Sequence, residues 1–268
     1  SPAFGWVFNK ATKGKYGFWL WTKLFFWGIV THPILDMFTN YGTQFLWPFE
    51  ARITFNSVFV IDPLYTVPFM VLLIWAMRLD RNSAKRRRLN RIGLIYSTSY
   101  LVIGVLVKCY VWYDATQYMS EKQIKVNRMM VTPMPFTSFY WYVLGENEAE
   151  YIVAYRSLFN ATIDEKPMVL RRGPHRINEL KWKGKNQTKN LHRVTNDYYL
   201  IESKENKLIV YDLRFGLLSK FTREKINTPL MGFESEMLQH RIIRTTMHRQ
   251  AQWDKVDFGY YWGEVLGK

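Results

Sequence analysis

In the stretch THPILDMFTNYGTQFLWPF, residues 31–49, a histidine and a carboxylate stand four apart at the end of a strongly apolar run. Residues i and i+4 share a face of a helix, so His32 and Asp36 could converge on one divalent cation. The competing account is structural. His32 could sit at a bend made by Pro33, and Asp36 could pair with a nearby base. Asp62 is the third candidate, since an aspartate before proline is an ordinary helix N-cap but could also be a metal ligand, an orienting group or a general base. Tyr41 and Tyr65 could donate to a substrate oxyanion or serve as interfacial aromatics. Asn56 could bind a ligand or turn the chain, and Trp47 reads as an interfacial anchor.

The elements that must position these groups are apolar runs. YGFWLWTKLFFWGIVTHPIL, residues 16–35, is about the length that crosses a ~30 Å hydrocarbon core. A second run follows Asp62 to residue 77 with Pro68 inside it, and a third spans residues 92–112. The run of cations RNSAKRRRLNR, 81–91, joins the second and third. Loops of this kind stay in the cytoplasm, which puts His32, Asp36 and Asp62 together at the outer interface. Ionisable groups at membrane depth are costly and mark function by default. The link 37–61 is too aromatic for a free loop and is expected in the headgroup layer or among helices. After about residue 114 the pattern changes. Residues 114–130 predict a polar helix, and 132–141 an extended surface segment. Strands are expected at 151–159, 166–172, 197–203 and 207–216, the last two as a hairpin, and a helix near 234–250.

Composition supports two unlike halves. Aromatic residues make up 17% of the 268, a load suited to a bilayer interface, while the mean hydropathy is only −0.20. Residues 1–113 hold 13 basic and 4 acidic residues, net +9, against 24 and 18, net +6, for residues 114–268. A basic loop between apolar runs is a topology signal, so no nucleic-acid partner is expected. The single cysteine, Cys109, excludes an internal disulfide and a cysteine metal cluster, and a packed thiol is expected there. His175, His192, His240 and His248 lie in polar stretches without matching carboxylates and read as surface residues. No phosphate loop or serine nucleophile elbow is present.

Thr31-His32-Pro33-Ile34-Leu35-Asp36, Thr39-Asn40-Tyr41-Gly42-Thr43-Gln44, Trp47-Pro48-Phe49 and Ile61-Asp62-Pro63-Leu64-Tyr65 resemble the bacterial YdjM-like inner-membrane proteins, which are described as membrane-bound metal-dependent hydrolases. Thr132-Pro133-Met134-Pro135 with Trp141, and Asp212-Leu213-Arg214-Phe215-Gly216, are further similar segments. The resemblance implies that His32 and Asp36 belong to a metal set. In such proteins its partners include an upstream Asp-containing element and a His-Arg-Gly-x-Thr-His-Ser element; neither occurs here, so the chain is expected to begin downstream of the natural start.

These readings predict an α-helical membrane domain of at least three transmembrane helices, residues 1–113, and a C-terminal β-rich α+β domain on the periplasmic side, residues 114–268. The function expected is metal-dependent hydrolysis at the outer face of the inner membrane. Asp62 would be catalytic, His32 and Asp36 would ligate a divalent metal, zinc by its donor set, and a lipid or phosphoester would be the substrate. The alternative is a non-catalytic membrane protein whose β-rich domain binds a partner or an envelope polymer. A transporter fits less well, because the acidic residues lie at the interface and not at mid-bilayer.

Overall fold

The computed structural model describes residues 1–44, 46, 48–49, 52–163, 166–173, 177, 187–204, 207–223, 227–238, 241–248 and 255–268. The apolar runs become two helical hairpins. Helix α1 (Pro2–Ala11) lies against α2 (Phe18–Asp36), and Gly5 permits their approach: a Cβ there would stand 2.1 Å from the Thr22 hydroxyl oxygen. Helix α3 (Pro63–Met77) starts at the Asp62 cap with Pro63 in its first turn, where the missing N–H costs nothing. It pairs with α4 (Ala84–Glu121), capped by the Ser83 hydroxyl, which accepts from the Arg86 N–H at 3.1 Å.

Most large apolar side chains of these helices face outward, among them Trp19, Phe26, Trp27, Val71, Trp75, Leu94 and Leu106. Among the described residues, only α4 is both long and apolar enough to cross a membrane. The three expected runs do form helices, but α2 has 19 residues and carries Lys23, His32 and Pro33, while α3 has 15. Fifteen residues rise roughly 22 Å, short of a full hydrocarbon core. Helix α4, with 38 residues, reaches about 57 Å and continues unbroken through residues 113 and 114. Its last turns leave the apolar run and bury Val111, Ala115 and Met119 against a sheet. Cys109 is exposed on α4, contrary to the packed thiol expected, because Gly104, Val111 and Ala115 are the buried positions of that stretch.

Two four-stranded antiparallel sheets follow. The first holds β1 (Arg128–Pro133), β2 (Tyr140–Glu146), β3 (Glu150–Ser157) and β4 (Met168–Arg171), in that order. The second holds β5 (Tyr199–Lys204), β6 (Lys207–Leu217), β7 (Pro229–Leu238) and β8 (Arg241–His248), also in order. Alternating side chains divide the first sheet between two cores. Trp141, Val143, Ile152 and Ala154 meet α4. Tyr140, Tyr142, Leu144, Tyr151, Val153 and Tyr155 meet Leu213 and Leu217 of β6 and Tyr261 and Val265 of α6 (Phe258–Val265). Helix α5 (Gln187–Thr195) covers the other face of the second sheet through Leu191.

The strands expected near 151–159, 166–172, 197–203 and 207–216 are present, and β5 and β6 form the expected hairpin, with Lys204 opposite Lys207. The helix expected near 234–250 is instead β7 and β8. The pairing of β7 with β6, where Gly232 sits opposite Tyr211, and of β8 with β7 outweighs the local helical spacing. Residues 132–141 are not one extended surface segment but the end of β1, a short loop and the start of β2.

Candidate functional site

His32 and Asp36 close the C-terminal end of α2, where Pro33 occupies the last turns. Their Nε2 and Oδ2 atoms stand 3.5 Å apart, and the side chains are 78% and 44% exposed. Both donor atoms are therefore open to a ligand arriving from outside the protein. Among the described residues no group of three or more His, Cys, Asp or Glu side chains gathers. The pair fits two positions of a metal donor set and is too small to hold a metal alone.

Asp62 is the opposite case, 1% exposed with both oxygens engaged. Oδ1 accepts from the N–H groups of Leu64 at 3.0 Å and Tyr65 at 3.4 Å. Oδ2 accepts from the Tyr100 hydroxyl at 2.8 Å and the Ser138 hydroxyl at 2.6 Å. One carboxylate thus joins the start of α3, the middle of α4 and the β1–β2 loop. Replacing Ser138 with alanine or Tyr100 with phenylalanine leaves Oδ2 one donor, at an expected cost of about 1–3 kcal/mol each. Thermal melts of the detergent-solubilised protein check this; an unchanged melt in the double variant would show that water replaces both hydroxyls.

The segment after α2 folds back over that helix end. Phe55 N–H donates to the Met37 carbonyl, Ser57 and Val58 N–H to that of Phe38. It then lies on α4 at Gly104, where a Cβ would stand 3.0 Å from the Ser57 carbonyl oxygen. Lys108 donates to the Phe55 carbonyl, which accounts for a cation within an apolar run.

Four residues beyond Asp36, the β-rich part grips the chain. The Thr132 hydroxyl donates to Asn40 Oδ1 at 2.5 Å, and Arg214 Nη1 donates to the Asn40 carbonyl at 3.1 Å. Arg214 also donates to Asp212 through Nε at 3.0 Å and Nη2 at 2.8 Å, a fork on a carboxylate that is 2% exposed. Burial raises the Asp212 pKa, and Arg214 opposes that rise. Tyr41 lies against Phe215 with ring centroids 5.3 Å apart; burial first, then the charge of Asp212, raises its pKa. Asn40 Nδ2 and the Tyr142 hydroxyl are buried without a hydrogen-bond partner among the described residues. The segments containing Asn40, Thr132 and Asp212–Gly216, scattered along the chain, therefore meet at one place. Spacing could not announce this, because the contacts join residues 92 and 174 apart.

The other candidates resolve locally. The Tyr65 hydroxyl is 2.8 Å from that of Ser97, between α3 and α4. Asn56 has φ of 45° and its Oδ1 accepts from the Thr54 hydroxyl at 2.7 Å, a turn-forming role. His192 pairs with Asp197. Trp47, His175 and His240 lie outside the described residues.

The structure thus defines an α+β protein in which outward-facing apolar helices are fastened at one end to a two-sheet module. Residues 2–111 match the family model for YdjM inner membrane protein, so that stretch is similar to this family. No curated protein and no solved structure matches the chain. The match includes His32, Asp36, Asn40 and Asp62; Thr132 and Asp212–Gly216 lie beyond it.

Proposed function

We propose that this is a multi-pass inner-membrane protein with a metal-dependent hydrolytic centre at the outer face, acting on a phosphoester or lipid-linked substrate. The observation that supports it is the convergence of His32 Nε2 and Asp36 Oδ2 within 3.5 Å at an open helix end. Helices α2, α3 and α4 are the proposed spans of the membrane part, residues 1–113. Residues 114–268 form the outward module, with the basic α3–α4 turn on the cytoplasmic side. His32 and Asp36 would hold a divalent metal, zinc by the character of the donors, together with donors outside the described residues. When bound, such a metal polarises a scissile group and acidifies water. Of the roles open to Asp62, orienting suits its saturated carboxylate: it fixes the start of α3 against α4 and the β1–β2 loop. The Asn40 clamp fixes the chain just after the ligand pair in the same manner.

A second reading has one observation in its favour. A fully bonded Asp62 also suits a purely structural joint, with the β-rich module binding a partner or an envelope polymer. An assay separates the two. The purified protein, supplied with Zn²⁺ or Mn²⁺, is offered a lipid phosphoester and a carboxylic ester. The hydrolase account expects turnover of the phosphoester. Asp62→Asn should lose roughly 10–100-fold, as orienting residues do, and His32→Ala or Asp36→Ala more than that. Metal-independent turnover would contradict the metal mechanism, and no turnover of either substrate by a protein that retains the metal would favour the binding module.

A further inference from the structure

The turn between α3 and α4 carries seven cations, from Arg78 to Arg91, and one acid, Asp80. A topology signal needs only an excess of positive charge, and this turn has more order than that. Arg78, Arg81, Lys85, Arg87, Arg88 and Arg91 are all exposed, and none forms an ion pair among the described residues. Arg87 and Arg91 stand one helical turn apart, on the side of α4 opposite buried Leu89. Lys85 Nζ lies 5.3 Å from the Trp75 ring centroid, so a cation and an interfacial aromatic meet at the edge of the apolar surface. That surface continues directly with exposed Trp75, Met77, Ile92 and Leu94. A dense row of unpaired cations above a lipid-facing apolar band is complementary to a headgroup phosphate above an acyl chain.

We propose that the α3–α4 turn binds anionic phospholipid headgroups selectively. The patch belongs to residues matched as an inner membrane protein, which favours lipid over nucleic acid as the source of phosphate.

Native mass spectrometry of the whole detergent-purified protein, titrated with phosphatidylglycerol or phosphatidylcholine, tests this. The parent is expected to retain phosphatidylglycerol preferentially. Each cation neutralised among Lys85, Arg87, Arg88 and Arg91 by change to glutamine should lower the preference roughly fivefold, from about 1 kcal/mol per residue near a charged surface. A variant with Arg87, Arg88 and Arg91 changed to lysine should keep most of the preference, which separates loss of charge from loss of fold. Equal retention of the two lipids by the parent would overturn the proposal. So would an undiminished preference in the glutamine variant, or salt-sensitive binding of a DNA duplex with no lipid preference.

Discussion

Replacing Arg156 with alanine is expected to destabilise the protein by about 3–5 kcal/mol, the usual cost of removing one partner from a buried ion pair. Arg156 is 2% exposed on β3. Its Nε donates to Asp114 of α4 at 2.5 Å and Nη2 to the Tyr110 hydroxyl at 3.0 Å. Its other N–H groups reach the carbonyls of Ser157, Asn160 and Ala161. Arg156 thereby joins the end of α4 to the first sheet through two donated hydrogen bonds. Alanine would leave these carbonyls with lost partners as well as freeing Asp114. Asp114 is 31% exposed, so water recovers part of its share and the carbonyls carry much of the cost. Lysine cannot reproduce the fork and should restore little. Denaturant titration followed by near-UV circular dichroism would measure the loss, and an Arg156→Ala protein as stable as its parent would contradict this account of the α4–sheet joint.

Arg214→Ala should be comparably damaging, about 3–5 kcal/mol at neutral pH, because it strands the Asp212 carboxylate in the core and releases Asn40. It should also change the response to pH. Burial raises the Asp212 pKa above its ordinary value of 3.8 while Arg214 holds the rise in check. Between the ordinary value and the raised one, the folded state carries more protons than the unfolded. Stability through this group therefore falls as pH rises across that window and levels off above it. Without Arg214 the folded value rises further and the window widens, so the variant should lie closest to its parent in acid. Changing Asp212 to asparagine in the Arg214→Ala background should recover much of the loss at neutral pH. A deficit of equal size at every pH, unrelieved by the second change, would mean that the pair matters only for packing.

Helices α2, α3 and α4 were legible because long apolar runs and an Asp-Pro cap are local signals, as were β3, β5 and β6, whose apolar β-branched runs are ordinary strand patterns, whereas the short α5 and α6 were not read. The first two strands were hidden by Pro133 and Pro135 and by aromatics that resemble an interfacial segment. The tail misled because FESEMLQHRIIRTTMH spaces its apolar residues ambiguously, and pairing of β7 with β6 and of β8 with β7 decides for strands. At the site, the i, i+4 spacing of His32 and Asp36 and the cap at Asp62 could be read directly. Their supports could not, because Tyr100 and Ser138 reach Asp62 across 38 and 76 residues. Arg214 carries no local signal of its role, which is to hold the chain beyond Asp36 through the Asn40 carbonyl, 174 residues away.

The most direct test of the central claim is the metal content of the detergent-purified protein, beside His32→Ala and Asp36→Ala variants whose folding is checked by circular dichroism. The hydrolase account predicts close to one Zn²⁺ or Mn²⁺ per chain in the parent and none in either folded variant. A well-folded parent that holds no metal after reconstitution, or variants that bind it as the parent does, would contradict the account and leave the anchored binding module in its place.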